Sequence, residues 1–212
     1  VLSEWKKEII KSQVDCKFIV CEDGSTDGTT QLLQRIKYRF NLILDHRNIR
    51  RGYGKAIIDG ILLSKSKYVL IIDSDGQCNP HDFKNFWQYR NRADIINGWR
   101  KKRKDSFQRR TLSFLFKRIF DIIFPNKIND PSAPYVLFKK ETILPNMKYL
   151  DYLNEGFWWG FIGMGIKKKL SILEIPIDHR KRLYGETTIY QINKIMEIAL
   201  RNFIGLIKLK FL

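Results

Sequence analysis

Residues 68–80 read Tyr-Val-Leu-Ile-Ile-Asp-Ser-Asp-Gly-Gln-Cys-Asn-Pro. Five apolar residues, Tyr68 to Ile72, run without a break. That pattern predicts a strand buried on both faces, as in a parallel sheet. The run ends in Asp73, Ser74, Asp75 and Gly76. On an extended backbone the i, i+2 spacing projects both carboxylates to the same side. Two adjacent carboxylates repel each other unless they face water or a cation. A hard divalent cation is commonly held by one or two carboxylates plus substrate phosphates. Taken alone, the same four residues also describe an ordinary polar turn after a strand.

The flanking chain decides between these readings. Upstream, Leu2–Ser12 has helical apolar spacing, and Phe18–Cys21 is a short apolar strand. It runs into Glu22-Asp23-Gly24-Ser25-Thr26-Asp27-Gly28-Thr29, a loop of glycines and helix-capping residues. Leu32, Leu33, Ile36 and Phe40 mark a helix, Leu42–Leu44 a strand, and Ala56–Leu63 a helix after a basic loop over Arg47–Lys55. Alternating strands and helices predict an α/β fold with a parallel sheet. Ligands of such sheets bind beyond the carboxyl ends of the strands. Both acidic loops follow strands, so they are expected at one edge.

Downstream, Phe83, Phe86 and Trp87 suggest a helix, and Asp94–Asn97 a strand ending in Gly98-Trp99-Arg100. Residues 90–118 hold eleven Lys/Arg and only Asp94 and Asp105 as acids. Phe107–Phe124 is apolar at many positions. It reads equally as a core helix with a solvated basic edge or as a helix at an anionic membrane surface. Asp130–Phe138 is a loop entering a strand, Tyr149–Phe161 is rich in aromatics, Ile172–Ile177 is a strand, and 188–212 is a closing amphipathic helix.

The 212 residues carry 39 Lys+Arg against 22 Asp+Glu, a formal net charge of +17. That excess calls for an anionic partner: nucleic acid, a membrane face or phosphorylated substrates. Three cysteines form no closed disulfide framework and no zinc spacing, which suits a reducing compartment. The Asp73-x-Asp75 start lacks the glycine and glutamate of a calcium loop. Gly52-Tyr53-Gly54 lacks the third glycine of a dinucleotide fingerprint, and Gly54-Lys55 the frame of a phosphate loop.

Taken together, Glu22–Thr29 followed by Asp73-Ser74-Asp75-Gly76-Gln77 resembles the family 2 glycosyltransferases of GT-A fold. Asp94–Arg100, the Asp130–Phe138 region and Arg182-Leu183-Tyr184-Gly185-Glu186-Thr187 resemble the branch that transfers sugars to dolichyl and other polyprenyl phosphates. The resemblance covers nearly the whole chain and implies one GT-A domain, with a mostly parallel sheet between helices. The family's opening strand has no counterpart, so N-terminal truncation is expected. The implied reaction is an inverting transfer from a nucleotide sugar to a polyprenyl phosphate. Asp23 would contact the base or ribose, with Glu22, Ser25 and Asp27 in the same nucleotide-sugar loop. Asp73 and Asp75 would hold Mg²⁺ or Mn²⁺ against the diphosphate, with Ser74 and Gln77 lining that site. Arg100 and Arg182 would face phosphates, and residues 100–118 an anionic membrane surface at the cytoplasmic face.

Two alternatives stand beside this one. A saccharide hydroxyl as acceptor would need a carboxylate base, with Asp151, Glu155 and Asp130 as candidates. An inactive nucleotide-binding or nucleic-acid-binding domain would use the basic stretch with Trp99, Phe107 and Phe114 as stacking platforms. The first reading expects no specific nucleic acid. It leaves open the sugar, the base and the oligomeric state.

Overall fold

The computed structural model describes residues 1–102, 107–153, 156–181 and 192–211, apart from the side chains of 107–109 and 192–196. The strands are β1 (Ile19–Asp23), β2 (Ile43–Arg47), β3 (Tyr68–Ile72), β4 (Ile95–Arg100), β5 (Tyr135–Lys139) and β6 (Ile172–Ile177). The helices are α1 (Leu2–Lys11), α2 (Thr29–Phe40), α3 (Tyr53–Leu63), α4 (Phe83–Gln88), α5 (Phe107–Ile123), α6 (Lys140–Ile143), α7 (Phe157–Lys167) and α8 (Ile192–Phe211).

The strands form two sheets. β1 and β2 pair in parallel. The second sheet runs β3-β5-β4-β6. In it β4 and β6 are parallel, and β5 lies antiparallel between β3 and β4. Hence β3, β4 and β6 share one direction and β5 alone is reversed. The uninterrupted apolar run of β3 therefore comes from covering both faces, not from parallel partners. Val69 and Ile71 pack with Ile95, Val136 and Phe138 on one face. Tyr68, Leu70 and Ile72 pack with Ile96, Tyr135 and Leu137 on the other. The period of two that sends neighbouring side chains to opposite faces is thus satisfied by a core on each side.

One of these cores joins the sheet to α5, α7 and α8 through Phe120, Phe161 and Leu206. The other joins it to α1 and α4 through Trp5, Ile9 and Phe86. A smaller core of Leu33, Phe40 and Leu42 ties α2 to β1 and β2. At Gly98, within β4, an added Cβ would lie 3.1 Å from the Tyr135 carbonyl oxygen and 2.9 Å from Ile177 Cδ1. Glycine therefore keeps β4 close to both of its neighbours.

Several elements differ from the sequence expectations. α3 begins at Tyr53, within the stretch expected to be a loop. β4 takes in Gly98, Trp99 and Arg100. The aromatic segment after Tyr149 contains α7, with Phe157, Trp158, Phe161 and Met164 all buried. The closing helix is described over Ile192–Phe211.

Candidate functional site

The loop after β1 is built around two carboxylates that receive backbone protons. Glu22 is 5% exposed. It accepts the Ser25 amide, the Thr30 hydroxyl and His46 Nδ1. Burial opposes the charged form, but hydrogen bonds from Ser25, His46 and Thr30 outweigh it and hold the Glu22 carboxyl at about 2. The nucleotide-contact role expected for Glu22 has a competitor here, because its carboxylate braces the loop. Ser25 takes part through its amide. Asp27 accepts the Thr29 amide at 3.1 Å and the Thr29 hydroxyl at 2.6 Å, at the start of α2. Such an acceptor satisfies an end-of-helix donor.

Asp23 reaches across to the next connection. Its carboxylate accepts the amides of Arg51, at 3.0 and 3.1 Å, and Gly52, at 2.8 Å. Gly52 precedes α3 with φ +99° and ψ 161°. That region of backbone space is open essentially to glycine alone. The next residue, Tyr53, donates its hydroxyl to Asp73 Oδ1 at 2.6 Å. Residues 51–53 thus touch the loop after β1 and the loop after β3 at once. The two acidic motifs, 50 residues apart in sequence by their numbers (73 − 23), meet through this turn.

The loop after β3 is tightened by its own turn. The Gln77 amide donates to Asp75 Oδ1 at 3.0 Å, and Gly76 has φ +78°. Gln77 is buried, and its side-chain amide donates to the Arg180 carbonyl at 3.4 Å. Ser74 is exposed. The chain beyond β6 returns alongside: Cys78 bridges His179, and the Arg180 amide donates to the Gln77 carbonyl at 3.0 Å. The start of the basic 179–186 loop therefore lies against the Asp75 loop. Arg182 and Glu155 themselves fall outside the described residues.

Among the described residues no three His, Cys, Asp or Glu side chains cluster as a metal cage. Asp73 and Asp75 instead fit a Mg²⁺ or Mn²⁺ site completed by substrate phosphates, since both are hard oxygen donors, partly exposed, at a strand end.

Arg100 and Asp130 form the other cluster. Arg100 Nε and Nη2 meet the two Asp130 oxygens at 2.7 and 2.9 Å, and Nη2 also donates to Ser132 Oγ at 2.7 Å. The side chains are 3% and 8% exposed. The Asp130 amide donates to Glu174 on β6 at 2.9 Å, which fixes the loop to the sheet. The geometry directs the Asp130 carboxylate at Arg100, an arrangement unlike that of a base awaiting an acceptor hydroxyl. Arg100, expected to face phosphates, lies with Asp130 in the wall of an open cavity of about 440 Å³. Among the described residues Lys101, Arg110 and Lys117 also line it, Lys117 being paired with Asp121 at 2.6 Å. Asp151, the other carboxylate considered as a base, pairs with Lys55 at 2.7 Å.

Sequence reasoning gave no site role to Tyr53 or the Arg51–Gly52 amides, and weighed Trp158 only as an aromatic beside Glu155 on which a sugar could stack. The available signal was Gly52-Tyr53-Gly54, a glycine-flanked aromatic between two strands.

Comparison with known proteins gives a consistent picture. Residues 7–144 match the family described as glycosyl transferase family 2. The chain is 27% identical to a dolichyl-phosphate beta-glucosyltransferase of Dictyostelium discoideum, over 94% of this chain and 68% of that protein. It is 25% identical to a dodecaprenyl-phosphate galacturonate synthase of Rhizobium johnstonii, over 87% of this chain and 55% of that protein. The chain thus spans about two thirds of one relative and about half of the other. Its fold is that of glucosyl-3-phosphoglycerate synthase from Mycobacterium tuberculosis, a structure holding Mn²⁺ and uridine diphosphate. The TM-score is 0.67 at 16% identity, over 99% of this chain and 77% of that one.

Two predictions follow from these contacts. Asp130→Ala leaves a buried guanidinium without its carboxylate and is expected to cost about 3–5 kcal/mol in denaturant unfolding. A loss below about 1 kcal/mol, the scale of an exposed pair, would contradict the buried pair. Glu22 has a folded-state value of about 2 against an ordinary 4.5. Its contribution to stability is therefore present above pH 4.5 and lost as pH falls toward 2. The stability gap between wild type and Glu22→Gln should narrow over that window; a gap independent of pH would contradict the assignment.

Proposed function

The chain belongs to glycosyl transferase family 2, and from that premise we propose that it moves a sugar from a nucleoside-diphosphate sugar to a polyprenyl phosphate. The observation that carries this reading is the meeting of the two acidic loops through residues 51–53. The named activities of the two relatives support the acceptor class.

In this reading the donor's nucleoside lies against the Asp23 loop and its diphosphate against Asp73 and Asp75. A carboxylate has about four lone-pair sites, so Asp23 can hold the Arg51 and Gly52 amides and still accept a ribose hydroxyl. A bound Mg²⁺ or Mn²⁺ would supply neutralisation of the diphosphate charge. Ser74, exposed between the two aspartates, and the Gln77 amide, fixed on Asp75, line this end of the site. The acceptor's phosphate oxygen is already ionised at neutral pH, so no general base is required. It forms the new bond to the anomeric carbon from the face opposite the leaving group. The old carbon–oxygen bond breaks, and its electron pair leaves on the nucleoside diphosphate. Positioning and charge neutralisation then supply most of the catalysis. Lys101 and Arg110, in the cavity wall beyond β4, draw the acceptor's phosphate; Arg100, braced by Asp130, shapes that wall.

A lipid acceptor implies a membrane surface. Among the described residues no helix is long and apolar enough to cross a membrane. α5 instead exposes Phe114, Leu115, Ile119 and Ile122, with Ile122 at 80%. Their spacing places them on one helical face. Arg118 sits on the Phe114 ring at 5.1 Å. α8 exposes Leu200, Phe203, Ile204 and Phe211. Apolar residues flanked by cations suit the interface of an anionic bilayer.

The deciding experiment is transfer from a panel of nucleotide sugars with Mn²⁺ to a short polyprenyl phosphate or to an oligosaccharide. Product on the polyprenyl phosphate, lost with Asp75→Asn, is expected. Transfer only to the oligosaccharide would overturn the acceptor assignment. Flotation with phosphatidylglycerol vesicles tests the surface. Leu115→Glu with Ile122→Glu should weaken binding about tenfold or more; unchanged binding would remove α5 from the contact.

A further inference from the structure

Tyr53 opens α3 and sits between two groups from distant parts of the chain. Its hydroxyl oxygen is 2.7 Å from Trp158 Nε1 on α7 and 2.6 Å from Asp73 Oδ1 beyond β3. The direction of both bonds follows from the chemistry of the groups. An indole N–H can only donate, so the Tyr53 oxygen must accept from Trp158. The hydroxyl has a single proton, and the carboxylate can only accept, so that proton points at Asp73. The result is a one-way relay, Trp158 to Tyr53 to Asp73.

The relay is held at both ends. Tyr53 follows Gly52, whose amide is fixed on Asp23 at 2.8 Å. Its ring meets the edge of Phe157 at 6.4 Å and 82°. Trp158 and Phe157 are both buried, on the first turn of a helix packed into the main core. Tyr53 is 38% exposed as a residue, and its hydroxyl is held between the Trp158 donor and the Asp73 acceptor.

We propose that Tyr53 is a positioning residue for Asp73, with Trp158 setting the direction of its hydroxyl. This inference rests on the reading of Asp73 and Asp75 as the end of the site that takes a divalent cation and a diphosphate. A hydrogen bond from hydroxyl to carboxylate at this distance is of the strong, charge-assisted kind. It fixes the rotation of the Asp73 carboxylate before any cation arrives. Outer-shell partners of this sort change metal affinity by about 10–100-fold when removed. Tyr53 touches neither cation nor sugar in this account, and the group it acts through is Asp73.

The test uses the full chain and two titrations: Mn²⁺ binding in the presence of uridine diphosphate, read by paramagnetic resonance of free Mn²⁺, and uridine diphosphate binding without metal. For Tyr53→Phe we expect Mn²⁺ affinity to fall about 10–100-fold, with metal-free nucleotide binding held within about threefold, under 1 kcal/mol. Trp158→Phe, which keeps the tyrosine hydroxyl, is expected to lower Mn²⁺ affinity in the same direction by a smaller factor. Thermal melts of both variants show whether each is folded at the titration temperature. If wild type binds Mn²⁺ with the nucleotide and Tyr53→Phe binds it equally, the positioning role is overturned and the site reading stands. If wild type binds no Mn²⁺ with nucleotide, both are overturned. An equal fall in metal-dependent and metal-free binding would make Tyr53 a general structural residue and would also overturn the proposal.

Discussion

The candidate site depends on the carboxylate of Asp23 holding two backbone amides, those of Arg51 and Gly52. Backbone amides ahead of a helix have no intrahelical acceptor, and a charged acceptor satisfies them strongly. This capture fixes where α3 begins and so where Tyr53 projects. Tyr53 then meets Asp73. A single carboxylate at the end of β1 thereby sets the position of a second one at the end of β3. The link matters because β1 and β3 belong to different sheets, and no strand ladder joins them.

The rest of the molecule braces this edge. Antiparallel β5 ties β3 to β4, and β4 carries Arg100 to a buried, bidentate pairing with Asp130. Glu174 on β6 holds the same loop through the Asp130 and Asn129 amides. Residues 179–180 close over the far side of the Asp75 loop. The Asp75 loop and the cation-lined cavity are thus both supported by the four-stranded sheet, and the Asp23 loop by the two-stranded one. In the proposed reading the acidic loops would offer oxygens to a cation and the cavity cations to an anion.

Much of the sheet was legible in the sequence because its strands are short apolar runs ended by acids or glycine. Tyr68–Ile72 and Ile172–Ile177 match the observed strands. The reversed β5 was not legible, since an apolar run has no direction. α7 was hidden by its composition: Gly160, Gly163 and Gly165 lower helix propensity. Packing supplies the compensation. An added Cβ at Gly163 would lie 3.1 Å from Phe124, and one at Gly160 would lie 3.0 Å from Leu153. The acidic motifs were visible as residue types, but their internal partners were not. The engagement of Glu22 with His46, and of Asp130 with Arg100, joins residues 24 and 30 apart. Such pairings exist only once the chain has folded.

If the two acidic loops are one site coupled through residues 51–53, the coupling is measurable. A double-mutant cycle with Asp23→Asn and Asp73→Asn, read as the dissociation constant for uridine diphosphate with Mn²⁺, tests it most directly. Neighbours that share partners give interaction energies of about 0.5–3 kcal/mol, and the account predicts a value in that range. Additivity within about 0.3–0.5 kcal/mol, as found for independent sites, would contradict it.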